Sequence, residues 1–476
     1  MTKRSIRKDL SDQRAALIVA IVTNFVMPFS GTSLVVAIPS IGVEFRSDPA
    51  MLGWIMSAFI LSATVLAIPF GKVGDIWGRR KLLFAGIAIF SIGAFAVVVA
   101  PTFEFIIMCR VLQGIGAAML NASNLAILID IYPNEKRGKA LGMAVSSSYL
   151  GMSAGPFFGG LITSYFEWRI IVVLIGLIAA FAFAVAIFRL PKQAGLILDE
   201  DRDKKVNLVS ILLYMFSIMT LMYGFTTFGQ NVASYVFLAV GLILVLVFVW
   251  RESRVKNPII EVRLWKNNAN YIFLNFAALL SYSSTYAVGY LLSIYLQMVK
   301  GYSPDITGII LIISALTQAL FSPFAGKLSD KKSPYKISTI GMVICVAALI
   351  SFSFIGESTS LVQIIIGLVV VGLGVALFTS PNTNAILSTV ESGDYGMASS
   401  ILSTMRNIGQ MSCMAIASIV FFVSFGKTPI DEVSTSGMSD SIKILFVIFV
   451  VLCVLGTFFS MQWRGTKGSS RERLRD

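Results

Sequence analysis

Fourteen long apolar runs, nearly empty of charge, dominate this chain. They lie at 15–38, 51–70, 82–100, 104–128, 139–164, 169–189, 207–227, 232–250, 269–297, 304–325, 336–356, 360–380, 397–424 and 441–462. A bilayer core takes about 20 apolar residues per crossing helix, so these runs are long enough to span. Barrel strands are excluded, because they alternate apolar and polar residues over about ten positions and these runs are continuous. Only 13% of the 476 residues are charged, against about 25% in soluble domains. A soluble enzyme of this length lacks the charge to cover its surface. The expected fold is an all-α integral membrane protein with 14 transmembrane helices, the first run being too long for a cleaved signal peptide.

The distribution of basic residues sets an orientation. With the N-terminus in the cytoplasm, all but seven of the 38 Lys and Arg fall in cytoplasmic segments; the exceptions are Arg46, Arg110, Arg169, Lys300, Arg406, Lys427 and Lys443. This is the positive-inside pattern, and it places both termini inside a plasma (cytoplasmic) membrane. The six tryptophans fall near span ends, Trp54 and Trp168 outside and Trp77, Trp250, Trp265 and Trp463 inside, as an interfacial belt requires. The net charge of +13 thus reads as topology with some attraction to anionic lipid. Nucleic acid is not an expected partner, since the basic residues are scattered over short loops.

The chain also repeats itself. At an offset of 258, Gly114, Gly116, Ala118, Asn124, Gly138, Ala140 and Gly151 meet Gly372, Gly374, Ala376, Asn382, Gly396, Ala398 and Gly409. At 255, Gly71, Lys72, Asp75, Lys81 and Gly86 meet Gly326, Lys327, Asp330, Lys336 and Gly341. Spans 1–6 therefore correspond to spans 9–14 in the same orientation. The expected organisation is an N-terminal six-helix bundle (15–190), linkers with two extra helices (191–268) and a C-terminal six-helix bundle (269–463). Parallel repeats of this kind are a transporter architecture, with substrate held between the halves. The four cysteines lie in apolar runs without paired spacing, and there is no histidine. No metal, haem or disulfide chemistry is expected.

The loop GKVGDIWGRRKLL (71–83), RVLQGIGAA (110–118) and GMSAGPFFGG (151–160) together resemble the motifs of the major facilitator superfamily, the last of them the motif of its exporters. With fourteen spans and Trp168-Arg169, the chain is similar to its fourteen-span drug–proton antiporters. The resemblance runs from residue 15 to 463. It implies export by alternating access, no cofactor, a proton gradient as energy source, and a gating role for Gly71, Asp75, Gly78, Arg79 and Arg80. In that family the loop locks the cytoplasmic side when the outer side is open. The second copy, GKLSDKKSPYK (326–336), keeps Asp330 but loses the glycine and arginine pattern, so its lock is expected to be weaker.

The same segments have physical readings of their own. Gly151, Gly155 and Gly159 recur every four residues, with Gly160 beside them and Pro156 between. Small residues at that spacing let helices pack closely in lipid, and the proline bends its helix; the expected gating role is a pliable outer seam that opens and closes during export, with ordinary tight packing as the alternative. Arg110 lies about 9 Å into span 4 and Arg406 about 14 Å into span 13, at 1.5 Å per residue. Arginine at such depth costs at least about 2.5 kcal/mol on insertion scales. Each is therefore expected to face a cavity or a partner, and Gln113 is placed to orient Arg110; satisfaction by helix carbonyls is the alternative.

Where family members carry an acid in span 1, this chain has Ser30. No Asp or Glu sits mid-span; Asp75, Glu104 and Asp130 are at span ends. Asp130 is the first choice for a proton carrier, although a plain helix-end carboxylate is an equal reading. Buried arginines without buried acids suggest neutral or anionic amphiphiles over lipophilic cations. Asn24, Asn121, Asn124, Asn275, Asn382 and Gln410 are the expected polar lining, with Phe and Met walls that adapt to shape. The partners are thus a small amphiphilic substrate and membrane lipid, with the protein acting as a monomer. An ATP-driven pump is excluded because Gly426-Lys427-Thr428 lacks the preceding glycine of a phosphate loop. A membrane enzyme lacks clustered acids or ligands. An uptake symporter is the main rival reading, and a non-transporting receptor the remote one.

Overall fold

In a computed structural model, residues 3–191, 207–229, 231–255, 258–259, 262–265, 268–391 and 394–462 are described, without the side chains of 3–10, 75–76, 134–135 and 262–263. The long helices are α1 (Lys3–Glu44), α2 (Trp54–Trp77), α3 (Arg79–Val98), α4 (Phe103–Ile131), α5 (Asn134–Tyr165), α6 (Arg169–Arg189), α7 (Leu208–Thr226) and α8 (Val232–Glu252). They continue as α9 (Ala269–Thr285, then Val288–Ile294 and a π turn Tyr295–Val299), α10 (Pro304–Lys331), α11 (Pro334–Ser353), α12 (Leu361–Leu387), α13 (Tyr395–Phe425) and α14 (Thr435–Met461). No strand occurs among the described residues. Starts are marked by capping side chains: Thr102 accepts from the Phe105 N–H, and Asn268 accepts from the Tyr271 N–H, the usual use of these residues at helix N-termini.

Twelve of these helices are long and apolar enough to cross a membrane. The other two are α5 and α9. Helix α5 begins five residues before its apolar run, and glycine and serine dilute its hydropathy. Helix α9 is interrupted: the Ala287 N–H donates to Cys413 Sγ of α13 at 3.3 Å instead of continuing the helix ladder. The uninterrupted span expected over 269–297 is therefore two pieces, broken by a partner on another helix.

The internal repeat is visible in the packing. Helix α1 packs on α4, α5 and α6, α2 on α4, and α3 on α4 and α6; shifted by eight helices, α9 packs on α12, α13 and α14, α10 on α12, and α11 on α12 and α14. Several of the matched glycines are contact points. A Cβ at Gly116 would lie 2.7 Å from the Gly86 carbonyl oxygen, and one at Gly374 would lie 2.8 Å from that of Gly341. Likewise Gly151 meets the Phe25 carbonyl on α1, and Gly409 the Leu279 carbonyl on α9. The pairs Gly86/Gly341, Gly114/Gly372, Gly116/Gly374 and Gly151/Gly409 mark places where two helix backbones touch, whereas an added Cβ at Gly71, Gly138 or Gly396 would meet nothing within 4 Å.

Helices α7 and α8 form a hairpin closed through Gly224 and Gly241. Only 17% of the apolar window of α8 is buried. Helix α7 leans on both α2 and α13, its Tyr214 hydroxyl donating to the Thr64 carbonyl at 3.3 Å. The 192–206 stretch of the expected basic linker, and Trp463, lie outside the described residues.

Candidate functional site

Helices α1, α2 and α5 face α9, α10, α12 and α13 across a central cavity of about 410 Å³. Arg406 and Gln410 of α13 project into it, with Gln318 of α10, Thr379 of α12, Tyr149 of α5, and Tyr282, Tyr286 and Tyr290 of α9. The Arg406 guanidinium donates to Thr383 Oγ1 and lies 5.6 Å from the Tyr282 ring centroid. Its Nε is buried without a partner. Among the described residues, the lining contains no carboxylate.

The end away from the termini is closed over this cavity. The short turn Pro49–Leu52 before α2 is the plug. Three donors from the later helices hold it: Ile430 N–H on the Ser47 carbonyl (3.1 Å), Tyr290 hydroxyl on Pro49 (3.3 Å) and Ser418 hydroxyl on Ala50 (3.0 Å). Ser293 and Gln297 donate to the Val35 and Val36 carbonyls, each at 2.9 Å. Beside them α5 crosses α10, where Pro156 and Gly160 lie directly against Gly308 and Pro304. At the end bearing the termini, a second cavity of about 510 Å³ separates α2 and α4 from α13. It is lined by Gly71, Lys72, Arg79 and Asn121 on one side and by Ser399, Ser403 and Asn407 on the other.

The two deep arginines occupy different environments. Arg110 is wholly buried and outside the cavity lining. Its Nε donates to the Ile55 carbonyl at 2.9 Å, and its Nη1 donates to Ser30 Oγ at 3.0 Å and to Gln113 Oε1. Its guanidinium sits 4.5 Å from the Phe59 ring centroid, a cation–π contact. Arg110 thus ties α4 to α1 and α2 from within the helix packing. Arg110→Ala is expected to lower the melting temperature in detergent by several degrees, since charged hydrogen bonds are worth about 1.5–3 kcal/mol each. Ligand affinity measured on the surviving folded fraction should stay unchanged.

The asparagines expected to wet the cavity are mostly elsewhere. Asn124 Nδ2 donates to Thr23 Oγ1, and Asn275 Nδ2 to the Tyr271 carbonyl, so both are spent on helix contacts. Asn24 and Asn382 are buried outside the cavity lining, and Asn382 has neither amide atom bonded. Asn121 lines the cavity at the terminal end, and Asp130 is exposed near the C-terminal end of α4. Sequence reasoning missed the tyrosines. Their signal was the spacing of Tyr282, Tyr286 and Tyr290, one helical turn apart on a single face.

Among the gating residues, Gly78 has φ +92°, a conformation that glycine adopts without steric cost, and it lets α2 turn directly into α3. Arg80 donates to the Leu190 carbonyl at 3.3 Å, tying this turn to the end of α6. The Asp75 side chain lies outside the described residues. Asp330 in the second copy accepts from Asn384 Nδ2 at 3.2 Å. Gly151, Gly155 and Gly159 press on Phe25, Thr32 and Ser33 of α1. The span 5 motif therefore faces α1 with its glycines and α10 with Pro156 and Gly160.

Asp48 caps the plug, accepting from the Met51 N–H at 2.9 Å. Burial pushes its carboxyl above the ordinary value of 3.8, against the opposing pull of Lys427 and the backbone bonds. Its stabilising contribution is complete below that ordinary value and is lost as pH rises through the raised one. The closed end is thus expected to loosen from acid towards neutral pH. Thiol labelling of an Ala50→Cys reporter, divided at each pH by the rate for a free model thiol because the thiolate is the reacting form, should speed up severalfold over that range, and Asp48→Asn should flatten this ratio; the native cysteines, all buried, add little background.

Residues 20–251 and 274–476 match the Major Facilitator Superfamily. The chain belongs to this family. It is a multi-pass membrane transporter and not an enzyme. It is 31% identical over 395 residues to the riboflavin transporter RibZ of Clostridioides difficile, covering 82% of this chain and 84% of that one. It is 26% identical to the multidrug resistance protein Stp of Mycobacterium tuberculosis, covering 80% of this chain and 71% of the relative. Among solved structures, a POT family transporter in complex with 5-aminolevulinic acid aligns at TM-score 0.69 and 16% identity, covering 94% of this chain and 96% of that chain. An inward-facing, unoccupied bacterial homolog of Spinster aligns at 0.68 and 16%, covering 97% of each chain. At these identities the two structures speak for the fold alone.

Proposed function

We propose that this protein exports amphiphilic small molecules by secondary active transport, as a member of the fourteen-span drug–proton antiporter group. All fourteen long helices cross the plasma membrane in this reading, with both termini cytoplasmic and α7 and α8 as an added pair. The six-helix bundles 15–190 and 269–463 rock about the central cavity, and a proton gradient supplies the energy. The protein works as a monomer, without cofactor.

The observation that carries the proposal is the cavity between the two sets of repeated packing contacts, sealed at one end and flanked by a second cavity at the other. Helices that meet across such a cavity and carry matched contacts are what alternating access requires. The relatives named as a riboflavin transporter and a multidrug resistance protein fit a ligand with a flat aromatic body, and the tyrosine wall suits one. An uptake symporter of the same fold is the competing reading, with release of anionic amphiphile or lipid as a variant of export. The span 5 glycine–proline motif favours export. The deciding test is transport in proteoliposomes under imposed pH and sodium gradients, with cationic, neutral and anionic aromatic compounds on offer. Gradient-driven accumulation of at least one compound is expected; if neither gradient moves any of them, the proposal fails.

A further inference from the structure

The central cavity holds a charge without its counterpart. Arg406 is bonded only to a hydroxyl and a carbonyl of α12, its Nε faces no acceptor, and no Asp or Glu shares the cavity. Among the described residues it joins no ion pair. A guanidinium keeps its charge at physiological pH and matches carboxylates and other oxyanions in two-point geometry. Placed in a membrane interior with no acid, it is stabilised most by an anion that arrives with the ligand.

The surrounding surface says what the rest of that ligand is. Tyr282, Tyr286 and Tyr290 climb one face of α9 from beneath Arg406 to the plug. All three tyrosines line the cavity. Tyr149 and Met152 form part of the opposite wall on α5. Helix α9 breaks beside Tyr286, where Ala287 turns its N–H to Cys413. Irregular backbone at membrane depth is tolerated where it is buried in protein or lines a cavity, and broken helices mark substrate sites in transporters. A cavity of about 410 Å³ is within the drug-sized range of about 300–1,000 Å³.

We propose that the cavity selects aromatic anions: the acidic group pairs with Arg406, and the flat ring system lies along Tyr282 and Tyr286 towards the plug. This rests on the transport reading and narrows it, setting the chain apart from carriers that prefer lipophilic cations. Arg110 takes no part, because it is wholly buried outside the cavity lining, with its Nε and Nη1 spent on helix contacts.

The test uses the full chain in lipid nanodiscs and two dyes of nearly equal shape, fluorescein as the anion and rhodamine 123 as the cation. Fluorescence anisotropy, corrected with empty nanodiscs, should show saturable fluorescein binding at least tenfold tighter than that of rhodamine 123. Arg406→Gln should weaken fluorescein tenfold or more while leaving rhodamine 123 within twofold, and Arg406→Lys should recover part of the loss. On the unaltered protein, 2-naphthoate should displace fluorescein and 2-naphthamide should not, which keeps the test independent of variant folding. Equal or tighter binding of the cation, absence of fluorescein binding, or indifference to Arg406→Gln overturns the proposal. Gradient-driven transport of rhodamine 123 alone would sink the anion assignment while leaving the transport function intact. Failure of every compound to move would sink the transport function itself.

Discussion

Gly308→Val is expected to cut transport at least tenfold while leaving the protein folded. Gly308 of α10 faces Pro156 of α5 at the closed end, and a Cβ there would overlap the Pro156 carbonyl oxygen; a Cβ on Gly160 would likewise meet the Pro304 carbonyl. Both obstructing atoms are backbone, so neither helix can yield by changing a rotamer. The contact also joins helices from different halves of the repeat, so the packing inside each half is untouched. Overpacking costs about 1–3 kcal/mol, and that much bias shifts an equilibrium between two states about 5- to 150-fold. The end that is shut here should stand open. An Ala50→Cys reporter in the Gly308→Val background should label at least tenfold faster than in the parent, with gradient-driven flux falling by a similar factor. Unchanged labelling and flux would mean that the crossing of α5 and α10 plays no part in closure.

Gly155→Leu should fail one step earlier, at folding. Gly155 lies against Thr32 and Ser33, and its neighbours in the stripe, Gly151 and Gly159, lie against the carbonyls of Phe25 and Ser33. These contacts fasten α5 to α1 within one half, and a leucine side chain would force the two backbones apart along their length. The loss is expected to reach about 3 kcal/mol or more, the upper range for overpacked sites. Gly142 is the internal control, because it is on the same helix and an added Cβ there meets nothing within 4 Å. Gly142→Leu should be recovered as a monodisperse species at parental yield. Gly155→Leu should aggregate or melt well below the parent in size-exclusion and thermal-shift measurements. Equal behaviour of the two variants would show that the stripe is not a packing seam.

These two glycine positions also show how far the chain could be read before its structure. The stripe 151, 155, 159 announced a close helix contact, because small residues every four positions have one evident use in lipid. It did not announce the partners. The same short motif turns Gly155 to α1 and Gly160 to α10, and only the rotation of α5 between two neighbours decides which glycine meets which helix. The arginines repeat the lesson. Each was legible as a deep charge in need of company, yet Arg110 found carbonyl, hydroxyl and amide partners on α1, α2 and its own helix, while Arg406 was left facing open space. The asparagines were misleading for a related reason: a mid-span amide looks like cavity lining, but Asn124 is satisfied by Thr23, a hundred residues away in sequence. The tyrosine ladder was overlooked because tyrosine is at home in both lipid interfaces and cores.

Hydrophobic length, charge asymmetry and the two constant offsets are properties of the chain itself, so helix positions, the internal repeat and the family motifs were settled by residues read in order. Each depends on local burial in lipid or on backbone approach at glycine, which need no knowledge of the partner. The break in α9, the separation of the two arginines and the choice of which polar groups line the cavity depended on helices far apart in sequence. Cys413 diverts the Ala287 amide, and Ser30 and Ile55 take up Arg110. Hydrogen bonds and cavities are formed by pairs of surfaces, and only tertiary packing decides which surfaces meet.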